Sequence, residues 1–147
     1  MHIHACGAGD LDELAVLRTQ LWPDSSVAEH RADVGEQYDG STSASAFLAR
    51  DEHGAAVGFG EVTLRHDYVN GCDTSPVAFL EGLFVITTHR RRGVARALCA
   101  AVEAWGRGHG CTELGSDALL GNVNAQEMHA ALGFEERERV VCYRKMM

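Results

Sequence analysis

An apolar run of strand length, Phe79-Leu80-Glu81-Gly82-Leu83-Phe84-Val85, leads after a few residues into the basic turn Arg90-Arg91-Arg92-Gly93-Val94-Ala95. Beyond the turn, apolar side chains recur at Val94, Leu98, Ala101, Val102 and Trp105, which is the spacing of an amphipathic helix. A strand that feeds a helix through so short a turn leaves the first helical N–H groups unbonded. Those donors and the helix dipole both point at an incoming anion. Gly93 allows a ligand close to the backbone, Ala95 keeps the next turn thin, and the arginines suit several phosphates. The plain alternative is an ordinary strand–turn–helix with a solvated arginine cluster. The strand before and the helix after favour the anion site.

The remaining composition sets limits. A chain of 147 residues is expected to form one domain, 1–147, with its own core. A hydrophobic share of 46% with 23% charged residues is that of a soluble protein. No run approaches a membrane span, and the opening Met1-His2-Ile3-His4-Ala5-Cys6 is not a signal peptide, so no membrane partner is expected. The five cysteines are scattered, odd in number and lack metal-ligand spacing, which suggests a reduced cytoplasmic protein without a metal. His2, His4 and Cys6 fit a period-two strand better than a chelate. A net charge of −8 argues against nucleic acid as a partner. One basic cluster on an acidic chain suits an anionic cofactor there and a cationic substrate elsewhere; the bland alternative is that the carboxylates only aid solubility.

Read along the chain, His2–Ala5 predicts a short strand. Asp10 with Glu13 predicts a capping box for a helix whose stripe is Leu14, Leu17 and Leu21. Ser25 or Ser26 caps a second helix to about Gln37, and Asp39 to Ser45 reads as loop. Ala46–Arg50 and Ala56–Leu64 read as strands joined at Asp51-Glu52-His53-Gly54. A loop from Asp67 to Pro76 precedes the central strand. The Gly93–Gly108 helix is followed by a short strand near Glu113–Ser116, a helix from about Asn124 to Leu132, and a final strand from Glu135 to Lys145. The order indicates an α/β fold, a mixed sheet flanked by helices.

Arg90, Gly93 and Ala95 fill the Arg/Gln-x-x-Gly-x-Gly/Ala pattern of the GNAT superfamily of acetyl-CoA-dependent N-acetyltransferases, which the chain resembles along its whole length. The resemblance implies the GNAT fold, an α+β arrangement with splayed central strands. The pantetheine arm of acetyl-CoA would lie in the splay against the backbone of Leu83, Phe84 and Val85. Arg91, Arg92, Gly93, Val94, Ala95 and Arg96 would hold the pyrophosphate. The segment Asn122-x-x-Ala125-x-x-Met128-His129-x-x-x-Gly133-Phe134 resembles the last helical motif of the family. There the asparagine bonds the pantetheine, and His129 stands where a tyrosine often protonates the departing thiolate. A histidine is a proper general acid near neutral pH; alternatively His129 merely sits at the helix surface.

Leu21-Trp22-Pro23, the stretch Arg65-His66-Asp67-Tyr68-Val69-Asn70-Gly71-Cys72-Asp73-Thr74-Ser75-Pro76, and Phe79-Leu80-Glu81-Gly82 resemble the aminoglycoside 6'-N-acetyltransferases. These resistance enzymes commonly pair, so a homodimer is implied, and the apolar Val140-Val141-Cys142-Tyr143 suits an interface or, equally, the core. A polyammonium sugar needs carboxylates and an aromatic face. The resemblance implies faces from Trp22 and Tyr68 and carboxylates from Glu81, Asp117 and Glu138. Each has a plainer reading. Trp22 ends an apolar stripe and suits the core. Glu81 shares a strand face with Phe79, Leu83 and Val85, where an ion pair with Arg65 would account for it. Asp117 suits a turn cap, and Glu138 lies in the charged run Glu135-Glu136-Arg137-Glu138-Arg139.

The implied reaction is direct transfer. A neutral 6'-amine attacks the thioester, Glu81 takes its proton directly or through water, and backbone N–H groups near Val85 steady the oxyanion. Cys72 and Cys111 have no partnered histidine at a recognisable spacing and are read as structural or incidental. The same fold would also serve a polyamine, an amino acid or a protein N-terminus as acceptor, or a non-catalytic CoA-binding module.

Overall fold

The computed structural model describes residues 1–35, 37–38 and 43–147. Nine regular elements appear among them: β1 (His2–Ala5), α1 (Leu11–Leu21), α2 (Val27–Val34), β2 (Ala44–Arg50), β3 (Ala56–Arg65), β4 (Val77–Val85), α3 (Val94–Gly108), β5 (Leu114–Gly115) and α4 (Val123–Ala131). The strands form one sheet in the order β1-β2-β3-β4-β5. The first three pairings are antiparallel, and β5 joins β4 in parallel. The α/β reading and the GNAT-like strand order therefore stand.

Helices cover both faces. On one, the α3 stripe Val94, Leu98 and Val102 packs on Val57, Val62, Ala78, Leu80, Leu83 and Val85. On the other, Leu14 and Leu17 of α1 and Val34 of α2 pack on Leu48 and Phe59. Burying each such side chain contributes roughly 1.5–3 kcal/mol, which fixes the sheet as the frame of the site.

Ser26 caps α2 in a capping box with Glu29, as its sequence predicts. The Asp10–Glu13 box does not form. Asp10 accepts from the Gly7 N–H instead, and both carboxylates close on Arg50 of β2. The expected loop from Asp39 to Ser45 lies outside the described residues over 39–42, and β2 already begins at Ala44.

Two differences bear on function. The expected final strand from Glu135 to Lys145 is absent: the chain after Phe134 carries no regular structure and is exposed. Among the described residues this segment pairs with no strand. The other difference is a β-bulge. Glu61 of β3 opposes Gly82 while Val62 opposes Leu80, so Glu81 is the extra residue on β4. Ala78 and Leu80 face α3 before it, and Leu83 and Val85 face α3 after it. Glu81 therefore does not share a face with Leu83 and Val85, contrary to simple alternation.

Candidate active site

The turn into α3 has the geometry of an anion cradle. Arg91 takes φ +60° and Gly93 φ +82°, and successive residues of such handedness turn their N–H groups into one concavity. Gly93 is the N-cap of α3, no acidic residue sits in the first helical turn, and Arg91, Arg92 and Arg96 are exposed beside it. Arg90 is spent differently. Its Nε donates to the Val85 carbonyl at 2.9 Å, and its guanidinium lies over Phe84, tying the turn to the end of β4. These residues fit a phosphate-bearing cofactor.

Beside the turn, the sheet opens. β5 pairs with β4 only at Ala78 and Phe79. Among the described residues, Glu81 to Val85 meet no strand on that side, and Leu83, Phe84 and Val85 present their backbone to the gap. Asn122, the N-cap of α4, accepts the Ala125 N–H through Oδ1 at 3.1 Å, which turns its amide NH₂ to a ligand as donor.

The five residues expected to hold a substrate fall in two adjoining cavities. The larger, about 1300 Å³, is lined by Tyr68, Asp117, Glu138 and His129, along with Arg65 and Ser116. Trp22 and Glu81 line the smaller, with Arg18, Tyr38 and Glu61. The Arg65–Glu81 pair at 2.9 Å bridges the two. Thr63 also donates to Glu81 Oε1, at 2.7 Å. The ion pair foreseen as the plainer reading of Glu81 thus exists, yet the carboxylate keeps 29% of its side chain exposed and the bulge aims it away from the α3 core.

Tyr68 is 75% exposed at the mouth of the larger cavity. Its loop is pinned by Glu113, which accepts from the N–H groups of Asp73 and Thr74 and from the Thr74 hydroxyl. That last bond leads in holding the Glu113 carboxyl below its usual range. Glu138 lines the same cavity, and its neighbour Arg137 pairs with Asp73 of the Tyr68 loop at 3.5 Å.

Trp22 is both packed and site-lining. A Cβ at Gly82 would lie 2.5 Å from its ring, so only glycine admits the indole there. Behind it runs a buried polar network that simple sequence patterns do not reveal. Arg18 donates through Nη1 to both oxygens of Glu61, at 2.6 and 2.7 Å, and through Nε to His30 Nδ1. His30 Nε2 faces the Trp22 carbonyl, which can only accept, so that nitrogen carries the proton. Burial pushes the Glu61 carboxyl up, against the pull of Arg18 and Tyr38. Removing one partner of such a pair costs about 3–5 kcal/mol. The one available signal was a lone charged residue in the apolar β3 run Val57-Gly58-Phe59-Gly60-Glu61-Val62.

Ser116, which no motif in the sequence singles out, places Oγ 2.7 Å from His129 Nε2. Cys6, Cys72, Cys99 and Cys111 carry no nucleophilic signature. Burial pushes Cys6 up to about 12 and Cys99 up to about 11, and raises Cys72 and Cys111; a thiolate nucleophile needs the opposite shift. No His, Cys, Asp or Glu cluster among the described residues suits a metal.

The sequence model of the acetyltransferase (GNAT) family matches residues 12–134. The aminoglycoside N(6')-acetyltransferase type 1 of Serratia marcescens is 50% identical over 142 residues, 97% of each chain. That of Salmonella typhimurium is 48% identical over 99% of each. Among solved structures, AAC(6')-Iy in complex with the bisubstrate analog CoA-S-monomethyl-acetylneamine superposes with a TM-score of 0.92 at 46% identity, covering 99% of this chain and 98% of that one. The ligand-free aminoglycoside 6'-N-acetyltransferase AAC(6')-IG of Acinetobacter haemolyticus gives 0.93 at 39% identity, covering 100% and 99%.

Proposed function

The chain belongs to the acetyltransferase (GNAT) family, and we propose that it transfers the acetyl group of acetyl-CoA to the 6'-amine of aminoglycoside antibiotics, conferring resistance to them. The observation that carries this is the near-full-length identity of about half to aminoglycoside N(6')-acetyltransferases. The site supports it with a basic turn beside a carboxylate-lined cavity.

Acetyl-CoA supplies an activated thioester; the residues of this chain do the rest. The Arg91–Arg96 turn anchors its pyrophosphate, the Leu83–Val85 backbone takes the place of a strand partner for its arm, and the amide of Asn122 adds a donor. Tyr68, Asp117 and Glu138 hold the polyammonium rings, Trp22 covers a sugar face, and Glu81 takes the amine proton at the junction of the two cavities. Holding amine and thioester at contact supplies much of the rate. His129 is the source of the proton that leaves with CoA. The whole span 1–147 serves as one catalytic domain.

The protein works as a homodimer in the cytoplasm. Val140, Val141, Tyr143, Met146 and Met147 are all more than half exposed in a single copy, and a second copy covers them. Five free thiols suit a reducing compartment, and no helix of the described residues is long and apolar enough to cross a membrane.

Thiol release from acetyl-CoA, measured with kanamycin, spermidine and a short peptide, tests the reading. Release with kanamycin alone, with NMR placing the new amide at the 6'-nitrogen, is the expected result. An amide at position 3 or 2' would overturn the regiochemistry, and release only with spermidine or peptide would overturn the substrate.

A further inference from the structure

His129 has no ring nitrogen left for a ligand. Its Nδ1 lies 2.6 Å from the Ala125 carbonyl, which only accepts, so Nδ1 carries a proton. Its Nε2 is covered by Ser116 Oγ. The edge of Phe134 holds the ring in place, with centroids 5.0 Å apart. Any proton passing from this imidazole to the cavity must go through the serine. We propose that Ser116 is the residue that protonates the departing sulfur, with His129 behind it as the proton source. This rests on the acetyl transfer proposed above.

The position of Ser116 carries the argument. It follows directly on β5, where β5 parts from β4, and its Oγ lies 3.4 Å from the Leu80 carbonyl, a long and weak contact. A cofactor arm running from the Gly93 turn back along β4 ends at this fork. When the imidazole is protonated, Nδ1–H and Nε2–H each face an oxygen acceptor. The hydroxyl proton of Ser116 is then free to turn toward the groove, because the oxygen accepts from Nε2–H.

The step balances. The amine nitrogen bonds the carbonyl carbon, and its surplus proton passes to Glu81 or water. As the C–S bond breaks, the electron pair stays on sulfur. Ser116 gives its hydroxyl proton to that sulfur and receives the Nε2 proton of His129. Neutral His129, half-buried at the cavity wall, regains its proton through the same serine once CoA has left: water protonates Ser116 Oγ, whose hydroxyl proton passes back to Nε2. The ionisable groups around it are Glu127 on its own helix, Asp117 beside Ser116, Arg65 on β3, Glu103 and Arg107 on α3, and the run from Glu135 to Arg139.

Single-turnover acetylation of kanamycin across pH tests this, because product release then cannot hide the chemical step. In the unaltered protein the rate should fall as pH rises through the imidazole titration. Ser116→Ala should slow the step about tenfold or more and lose that limb, while calorimetry finds binding of CoA and kanamycin unchanged. Ser116→Thr should restore both rate and limb. His129→Gln should match Ser116→Ala, and the double variant should be no slower than either, since the two act as one unit. Independently of turnover, nitrogen NMR of His129 should show Nε2 moving and Nδ1 unmoved in Ser116→Ala. An unchanged single-turnover rate, a slowed variant that keeps the pH limb, or an unmoved Nε2 signal would each overturn the relay. Absence of acetylation by the unaltered protein would instead overturn the underlying reaction. If Ser116→Ala does not fold, His129→Gln and Ser116→Thr decide the matter.

Discussion

At the scale of single residues, two positions separate cofactor binding from chemistry. Gly93 sits at φ +82° with open space where a Cβ would stand. A valine there meets no clash but must adopt a conformation costing about 1–3 kcal/mol, and the strain falls on the turn proposed to cradle phosphate. Gly93→Val should fold and bind acetyl-CoA at least about tenfold more weakly by calorimetry; unchanged affinity would move the phosphate site elsewhere. Glu81→Gln keeps an acceptor for Thr63 and Arg65 but removes the proposed base. It should lower turnover about 100-fold with acetyl-CoA affinity intact. If activity merely follows the folded fraction, the Arg65–Glu81 pair is structural. Gly93 was legible because glycine in a basic turn has a local cause. The placement of Glu81 was not, because its direction depends on a bulge set by the facing strand.

Elements show the same division. Helices α2 and α3 could be read from caps and period because those signals lie within the segment itself. The Asp10–Glu13 box failed because Arg50, far along the chain, competes for both carboxylates. The Arg18–Glu61 pair escaped notice for the same reason: partners distant in sequence leave no local pattern. The loop carrying Tyr68 has its own handle in Glu113, whose carboxyl titrates below its ordinary 4.5. A depressed folded value means the stabilisation is fully present above the unfolded value and fades as pH falls through the folded one. The protection of residues 67–76, measured as exchange relative to an unstructured peptide at the same pH, should therefore fall below pH 4.5, while α3 stays protected. In Glu113→Gln the loop should exchange fast at every pH; a loop indifferent to both would remove Glu113 as its anchor.

For the whole molecule, the open question concerns residues 135–147. Their sequence suits a strand, yet within one copy they pair with no strand, and Tyr143 is 91% exposed. A truncation after Phe134 should run as a monomer by light scattering, and the intact chain as a dimer; a monomeric intact chain at micromolar concentration would refute the pairing. The parting of β4 from β5 has a further consequence, for proteostasis rather than catalysis. An unpaired strand edge is a template for another polypeptide, so the groove proposed above for acetyl-CoA would, when vacant, offer a place for aggregation to begin. A ligand at a hundred times its dissociation constant adds about 2.7 kcal/mol to the folded state. The cellular acetyl-CoA pool would thus govern how much of the protein survives as well as how fast it turns over. A starved cell would shed its resistance faster than its metabolism slows.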